Sequence, residues 1–196
     1  MISLYNNLNN IYKMDQIFGN HKSAIKIVLL GDGHVGKSSL FERLTSGSSD
    51  DYSFNKKYDA TTGCNVSILK CKENKLDFEI HLFDTAGQEK FGELRESYIL
   101  GADGVIIMYD VSEPQTKENI YKWINNVKIL NNKFSSKNIP IVICGNKIDV
   151  KKLGPRESYI FRDSALSSLY DGFITSCYIS VKANKDIWNP LNILVK

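Results

Sequence analysis

Three continuous apolar runs and one alternating segment organise most of the chain. The runs at 25–30, 104–109 and 139–144 predict parallel strands that are covered on both faces of a sheet. The segment 63–83 alternates apolar and polar positions around the turn Glu73-Asn74-Lys75. That alternation predicts a two-stranded antiparallel unit at the edge of the same sheet.

A helical repeat lies between the second and third apolar runs. Ser112 and Pro114 are typical of a helix start. Apolar residues then recur at helical spacing at Ile120, Trp123, Ile124 and Val127. This stripe indicates a core-facing helix rather than a cofactor contact. The alternation of strands and helices predicts an α/β fold with a doubly wound, mostly parallel sheet of six strands, one antiparallel edge strand and helices on both faces. In such a sheet the ligand crevice lies beyond the carboxyl ends of the strands.

A glycine-rich loop follows the first apolar run. Residues 31–38 read Gly-Asp-Gly-His-Val-Gly-Lys-Ser, the pattern of a P-loop that wraps phosphates in backbone N–H groups. A Cβ at Gly31 or Gly36 would obstruct that approach. Lys37 would place positive charge on the β- and γ-phosphates, which makes it a candidate catalytic residue, and the Ser38 hydroxyl is a candidate Mg²⁺ ligand. The predicted nucleotide-binding residues of this loop are Gly31, Asp32, Gly33, His34, Val35, Gly36, Lys37, Ser38 and Ser39.

The base is indicated by a second motif, Asn146-Lys147-Ile148-Asp149, which follows the run 139–144. The Asp149 carboxylate can accept hydrogen bonds from N1–H and the exocyclic amine of guanine, whereas adenine presents an acceptor there. Asn146 can tie this loop to the P-loop, and the Lys147 stem can lie along the face of the base. The sequence therefore predicts a guanine nucleotide rather than ATP.

A third motif ends the alternating segment at Asp84-Thr85-Ala86-Gly87-Gln88. Asp84 would lie at a strand terminus near the phosphates and hold a Mg²⁺-bound water. Gly87 can bring its backbone N–H close to a γ-phosphate, in a contact that breaks when the phosphate leaves. Gln88 would orient the attacking water and is the second candidate catalytic residue.

Together these motifs resemble those of the Ras-superfamily small GTPases, and within that superfamily those of the Ran family. The most specific stretch is 84–92, followed by Leu94-Arg95, and 56–61 resembles the first switch of the Ran family. The resemblance implies that Thr61 binds Mg²⁺ and the γ-phosphate and that Phe54 packs edge-on against the guanine. It implies further nucleotide contacts at Tyr58, Ser180, Val181 and Lys182.

The same resemblance implies a monomeric GTPase that cycles between GTP and GDP and hydrolyses GTP slowly. Its implied partners are an exchange factor, a GTPase-activating protein and importin- or exportin-like effectors that read the two switch regions. The implied location is the nucleus and the cytoplasm, with a role in nucleocytoplasmic transport.

Two alternatives remain within the same chemistry. A Rab-like trafficking GTPase is suggested by Gly101-Ala102-Asp103-Gly104. A guanine-nucleotide-binding module that does not cycle is suggested by His34 and Thr62, which depart from the Ran pattern. Retention of Gln88 and Thr61 disfavours that second alternative.

Composition limits the remaining classes. A chain of 196 residues with 42% apolar and 24% charged residues suits one domain, predicted at 24–196, after an Asn-rich extension at 1–23. Leu4, Leu8 and Ile11 leave open a short amphipathic helix within that extension. A net charge of +3 gives no argument for direct nucleic-acid binding.

The four cysteines show no C-x-x-C pair, which suits a reducing compartment. No lipid anchor is expected, because no cysteine follows position 177.

Overall fold

Six strands form one mixed sheet in the computed structural model of the protein. The structure describes residues 24–46, 63–73, 76–85, 92–134, 138–150 and 170–195. The strands are β1 (Ala24–Gly31), β2 (Cys64–Glu73), β3 (Leu76–Thr85), β4 (Gly104–Asp110), β5 (Ile141–Asn146) and β6 (Ile174–Tyr178). The helices within this part of the chain are α1 (Lys37–Thr45), α2 (Gly92–Ile99), α3 (Pro114–Glu118), α4 (Ile120–Phe134) and α5 (Asn189–Val195). None of these helices is long and apolar enough to span a bilayer.

The sheet has the order β2-β3-β1-β4-β5-β6. All neighbouring strands are parallel except β2, which runs antiparallel to β3 at one edge. The predicted doubly wound sheet with one antiparallel edge strand is therefore confirmed. Because β3 lies on one side of β1 and β4 on the other, the winding reverses at β1, and a crevice is expected beyond its carboxyl end.

Two apolar cores cover the two faces of the sheet. On one face, Leu40 of α1 and Leu191 of α5 pack in a cluster with the sheet residues Leu29 and Val142. On the other, Ile99 of α2 joins a cluster that contains several residues of α4 and of the central strands. Consecutive residues of β1, β4 and β5 are buried because each strand contributes to both clusters. The expectation of helices on both faces is confirmed.

The third apolar run is displaced by two residues from its predicted place. The strand begins at Ile141 rather than Ile139, because Pro140 has no N–H to donate to a ladder. Its carbonyl still accepts a 3.0 Å hydrogen bond from the N–H of Val105. As a consequence Asn146 is the last residue of β5, where the sequence pattern placed it after the strand.

The predicted single helix after Pro114 is interrupted at Asn119. The N–H of Asn119 still bonds the carbonyl of Gln115 at 3.1 Å, and its carbonyl accepts the N–H of Trp123 at 3.2 Å. Its side chain turns away from the helix and donates to Asp32 in the loop after β1. This bond holds Asn119 at the break between α3 and α4.

Lys26 of β1 anchors the far end of α2. Its ammonium donates a 2.7 Å hydrogen bond to the carbonyl of Leu100, the residue after the helix. The same ammonium lies 4.6 Å from the centroid of the Phe83 ring, a cation–π contact. Its backbone N–H donates to Oδ2 of Asp103 at 2.8 Å. The carboxyl end of α2 is thus attached to β1 by backbone and side chain together.

Candidate functional site

Four strand ends bring the predicted motifs to one edge of the sheet. The loop at 31–38 follows β1, and Asp84 is next to last in the adjacent parallel strand, where its Cα pairs with Leu29. Asn146 ends β5, and Ser180 follows β6 by two residues. Residues that are far apart in the sequence therefore meet at one crevice.

The glycines of the loop are required by the protein packed around them. Gly31 has φ of 132° and Gly36 has φ of 97°, both in a region that favours glycine. A Cβ on Gly31 would overlap the carbonyl oxygen of Met108 in β4, and one on Gly36 would overlap the side-chain amide of Asn146. The approach of a phosphate is therefore not the whole reason for these glycines. The structure adds close packing against two neighbouring strands.

The remaining loop residues surround the start of α1. His34 adopts a left-handed φ of 64° and is exposed, whereas Val35 is fully buried. Ser38 and Ser39, in the first turn of the helix, are half-buried. Gly36 is the capping residue just before the helix, and its carbonyl accepts the N–H of Leu40 at 3.0 Å. The positive end of the helix dipole therefore faces the loop.

The ammonium of Lys37 bonds the backbone of its own loop. It donates to the carbonyl oxygens of Gly31 at 2.8 Å and Asp32 at 2.7 Å. The residue is only 5% exposed, so a buried cation is held by backbone dipoles. This position provides a fixed positive charge at the edge of the sheet where the other motifs meet.

Asn146 joins the loops that follow three strands. Its Nδ2 donates to the carbonyl of Val35 at 2.9 Å, and its Oδ1 accepts the backbone N–H of Val181 at 3.1 Å. The side chain is 3% exposed and uses its donor and acceptor ends in opposite directions. Asn146 therefore holds the loop at 31–38 together with the loops after β5 and β6.

Asp149 is oriented by the loop after β6. The hydroxyl of Ser180 donates to its Oδ1 at 2.6 Å, and that hydroxyl also accepts the backbone N–H of Ala183 at 2.9 Å. The ammonium of Lys182 lies 3.9 Å from Oδ2. A carboxylate has about four acceptor positions, so this arrangement fixes its direction and leaves acceptor capacity for a ligand.

Asp84 is a buried carboxylate without a hydrogen bond in the described part of the chain. The residue is fully buried, and neither of its oxygens has a partner of normal geometry there. Burial raises the pKa of this carboxyl, while the nearby Ser38 hydroxyl and Lys37 ammonium oppose the rise. The Asn65 amide on β2 opposes it as well. An orphaned acidic group beside a hydroxyl and an ammonium is expected to require a further positively charged ligand.

Comparison with known protein families gives a match to the Ras family over residues 26–188. That range runs from the third residue of β1 to the residue before α5. The chain belongs to the Ras family. Its class is therefore that of a GTP-binding small GTPase, and the family in general uses Mg²⁺, hydrolyses GTP and acts through regulators and effectors.

The residues of this Ras-family protein fit a magnesium ion. Mg²⁺ binds proteins through one or two oxygen ligands and takes its other ligands from water and phosphate. Ser38 and Asp84 would supply such a pair, and a bound cation would account for a buried carboxylate whose oxygens have no partner in the described part of the chain. When bound, the metal neutralises phosphate charge. The third predicted ligand, Thr61, lies outside the described residues, as do Phe54, Tyr58, Gly87 and Gln88.

The carboxylate of Asp32 has two partners that the sequence analysis missed. Its Oδ2 accepts Nδ2 of Asn119 at 2.7 Å, and its Oδ1 accepts the indole Nε1–H of Trp123 at 2.8 Å. Trp123 lies in the predicted apolar core stripe and is 5% exposed. Its polar N–H was the available signal, since buried indole groups usually find an acceptor. The Ras-family loop is thereby attached to α4.

Lys147 has a partner that was also not predicted. Its backbone has a left-handed φ of 69°, and its ammonium lies 2.7 Å from Oδ2 of Asp110, the last residue of β4. Asp84 was singled out because it is a carboxylate at the end of a strand. Asp110 is also a carboxylate at the end of a strand, so the same reasoning would have found it.

Proposed function

We propose that this protein is a guanine-nucleotide-dependent molecular switch that binds GTP and GDP with Mg²⁺, hydrolyses GTP slowly, and has a Ran-like role in nucleocytoplasmic transport. The observation that supports it most directly is the connection between the base loop and the phosphate loop. Asp149, oriented by Ser180, offers a carboxylate to the guanine edge. Asn146 holds that loop to Val35 beside the phosphate-binding backbone.

Specificity for guanine follows from the direction of the Asp149 carboxylate. Guanine donates from N1–H and its amine, so two charge-assisted hydrogen bonds are available. Adenine would place an acceptor against the carboxylate and leave a buried polar group unpaired. Ser180 would keep the Asp149 carboxylate in place in the absence of the base.

Hydrolysis would depend on positioning and charge rather than on covalent chemistry. Lys37 would stabilise negative charge on the β- and γ-phosphates, and Gln88 would orient the attacking water. The sequence offers no evident internal arginine finger, so intrinsic turnover is expected on the order of 10⁻⁴–10⁻² s⁻¹. A GTPase-activating protein would complete the site.

The Ran-like role rests on the sequence of the two switch regions. Residues 84–92 resemble the Ran pattern more than the Rab, Rho or Ras patterns, and residues 56–61 resemble the first switch of the Ran family. The proposed partners are an exchange factor, a GTPase-activating protein and importin- or exportin-like carriers, which would contact Thr61 and residues 84–98. The proposed locations are the nucleus and the cytoplasm.

The first experiment identifies the nucleotide carried by the freshly purified protein. After denaturation, the released nucleotide is separated by anion exchange against guanine and adenine standards. Stoichiometric GDP or GTP is expected. Adenine nucleotide, or no nucleotide after incubation with GTP and Mg²⁺, would overturn the proposal.

The cycling step is tested with Gln88→Leu in single-turnover hydrolysis of GTP. We expect the variant to retain GTP while the wild-type protein converts it to GDP. Equal hydrolysis would remove Gln88 from its role, and GTP retention by the wild type would favour the module that does not cycle.

The GTP-loaded variant is then offered to a purified importin-β-type carrier and to Rab-type effectors. Binding only to the Rab-type effectors would favour the Rab-like alternative.

A further inference from the structure

The ammonium of Lys147 is paired within the protein before any ligand is considered. It lies 2.7 Å from Oδ2 of Asp110, and the two side chains are 35% and 10% exposed. The backbone at Lys147 has φ of 69°, a conformation that costs a residue with a Cβ about 1–2 kcal/mol. A residue in a strained backbone conformation whose side-chain terminus is also fixed has little freedom left.

Asp110 is itself held in place by the turn that follows β4. Its Oδ1 accepts the backbone N–H of Ser112 at 2.9 Å and the hydroxyl of the same residue at 2.6 Å. This leaves Oδ2 for Lys147. Burial would raise the pKa of Asp110, but the hydrogen bonds from Lys147 and Ser112 outweigh it and lower the pKa below its usual value. The carboxylate is therefore ionised at neutral pH and points in one direction.

The location of the pair connects it to the base loop. The Cα of Asp110 pairs with that of Asn146 across β4 and β5, so Asp110 is the direct cross-strand neighbour of the residue that joins the loops. Lys147 follows Asn146 directly and precedes Asp149 by two residues. The stem between the backbone and the ammonium of Lys147 thus runs from the guanine-recognition loop towards the end of β4.

We propose that Asp110 is a positioning residue of the guanine pocket, which acts by holding the stem of Lys147 as a flat apolar wall for the base. The inference rests on the proposed guanine-nucleotide function and adds a residue outside the recognised motif. A lysine stem can cover apolar surface while its head group is held elsewhere. With the ammonium drawn to Asp110, the base meets methylene groups rather than a hydrated charge.

Asp110→Asn separates this role from the role of Asp110 in the turn. The amide oxygen can still accept from Ser112, so the turn keeps its hydrogen bonds, while the charge facing Lys147 is lost. Thr116 continues to support the same turn, because its hydroxyl lies 3.1 Å from the backbone nitrogen of Asp110 and accepts its N–H. The variant therefore changes the partner of Lys147 with little change in the backbone.

The experiment measures dissociation of N-methylanthraniloyl-GDP from the full-length protein by fluorescence, in a double-mutant cycle. The four proteins are wild type, Asp110→Asn, Lys147→Met and the double variant. We expect Asp110→Asn to release the nucleotide about tenfold faster at low salt, the effect of one charge-assisted hydrogen bond. In the Lys147→Met background, Asp110→Asn should add nothing, because its target is gone. Asp103→Asn, which alters a carboxylate bonded to Lys26, serves as the matched control and should dissociate at the wild-type rate.

Lys147→Arg provides a second test that does not require an Asp110 variant to fold. Its guanidinium can still reach Asp110, so the nucleotide should leave Lys147→Arg more slowly than Lys147→Met. Equal rates for those two variants would overturn the inference. So would a wild-type rate for Asp110→Asn, or effects of Asp110→Asn and Lys147→Met that multiply in the double variant. If the wild type binds no guanine nucleotide, the proposed function fails together with this inference, whereas normal wild-type binding with an unaffected Asp110→Asn overturns this inference alone.

Discussion

The indole N–H of Trp123 donates a 2.8 Å hydrogen bond to Oδ1 of Asp32, although the two residues are 91 positions apart. The bond attaches the loop at 31–38 to α4, a helix that lies far from it in the sequence. It gives a half-buried carboxylate oxygen and a buried indole group their partners at once. The position of the loop therefore depends on a residue that sequence periodicity assigns to the core.

Trp123→Phe should loosen that loop. The substitution keeps an aromatic ring in the core but leaves Oδ1 of Asp32 without its donor. We expect GDP to dissociate roughly fivefold faster, the equivalent of about 1 kcal/mol. Trp188→Phe, which alters the other tryptophan of the chain, is the control and should leave the rate unchanged. A rate for Trp123→Phe equal to that of wild type would contradict the role given to this bond.

Gly36→Ala should disrupt both the loop and its attachment to Asn146. The new Cβ would overlap the Asn146 amide in addition to the cost of a positive φ. Gly101→Ala is a matched control, because Gly101 has φ of 71° and open space where its Cβ would lie. We expect Gly101→Ala to cost about 1 kcal/mol of unfolding free energy with unchanged GDP affinity. Gly36→Ala should cost more and lose GDP binding, as measured by urea unfolding and by titration, and equal behaviour of the two variants would refute the argument.

Asp149→Asn should change which base the pocket accepts. The substitution replaces one carboxylate oxygen by an NH₂ group, which cannot accept a hydrogen bond from guanine but can donate one to the C2 oxygen of xanthine. We expect GTP affinity to fall by about 100-fold or more and XTP affinity to rise, measured by competition against a fluorescent nucleotide. Because the Asn oxygen can still accept from Ser180, the loop should stay folded. Unchanged affinity for GTP would mean that Asp149 does not face the base.

Asp84→Asn should stabilise the metal-free protein while it impairs the loaded one. Burial raises the pKa of Asp84, so the folded state holds its proton more tightly than the unfolded state, in which the pKa is about 3.9. Stability of the metal-free wild type therefore falls as pH rises above that value through the folded pKa. In EDTA at pH 7.5 we expect Asp84→Asn to be about 1 kcal/mol more stable than wild type, and the gap should shrink at pH 4.5.

Mg²⁺ and GDP should reverse the order of the Asp84 variant and the wild type, because the carboxylate then has a ligand. Asp77→Asn is the control on the same strand, since that side chain is 78% exposed and should leave the pH dependence as it is. Urea unfolding across pH measures both effects. A gap between Asp84→Asn and wild type that widens towards low pH would show that burial of the charge is not its cause.

Much of this fold was predictable because its determinants are local. Buried parallel strands appear as unbroken apolar runs, and the loop after β1 needs its glycines at fixed positions. The start of β5 was misplaced because the apolar run continues through Ile139 and Pro140, where hydrogen bonding rather than hydropathy sets the boundary. The break at Asn119 was also missed, because hydropathy carries no signal for it.

Some features of the candidate site were predictable from the sequence and others were not. Motif residues such as Lys37 and Asn146 were predictable from spacing, and the structure brings their loops together. The ties that orient them were not, because Asp32 with Trp123 and Asp110 with Lys147 meet only after the sheet has formed. Three of these four residues lie in recognised patterns, but no pattern states which residue each side chain will bond.

The anchoring of α2 by Lys26 has a mechanical consequence. The carboxyl end of the helix is bonded at Leu100, and the helix begins at Gly92, within the segment 84–98 of the proposed second switch. Lys26 therefore restrains one end of the helix. If the segment before Gly92 shifts, we expect the helix to tilt about that restrained end, with the displacement largest at Gly92 and smallest at Leu100.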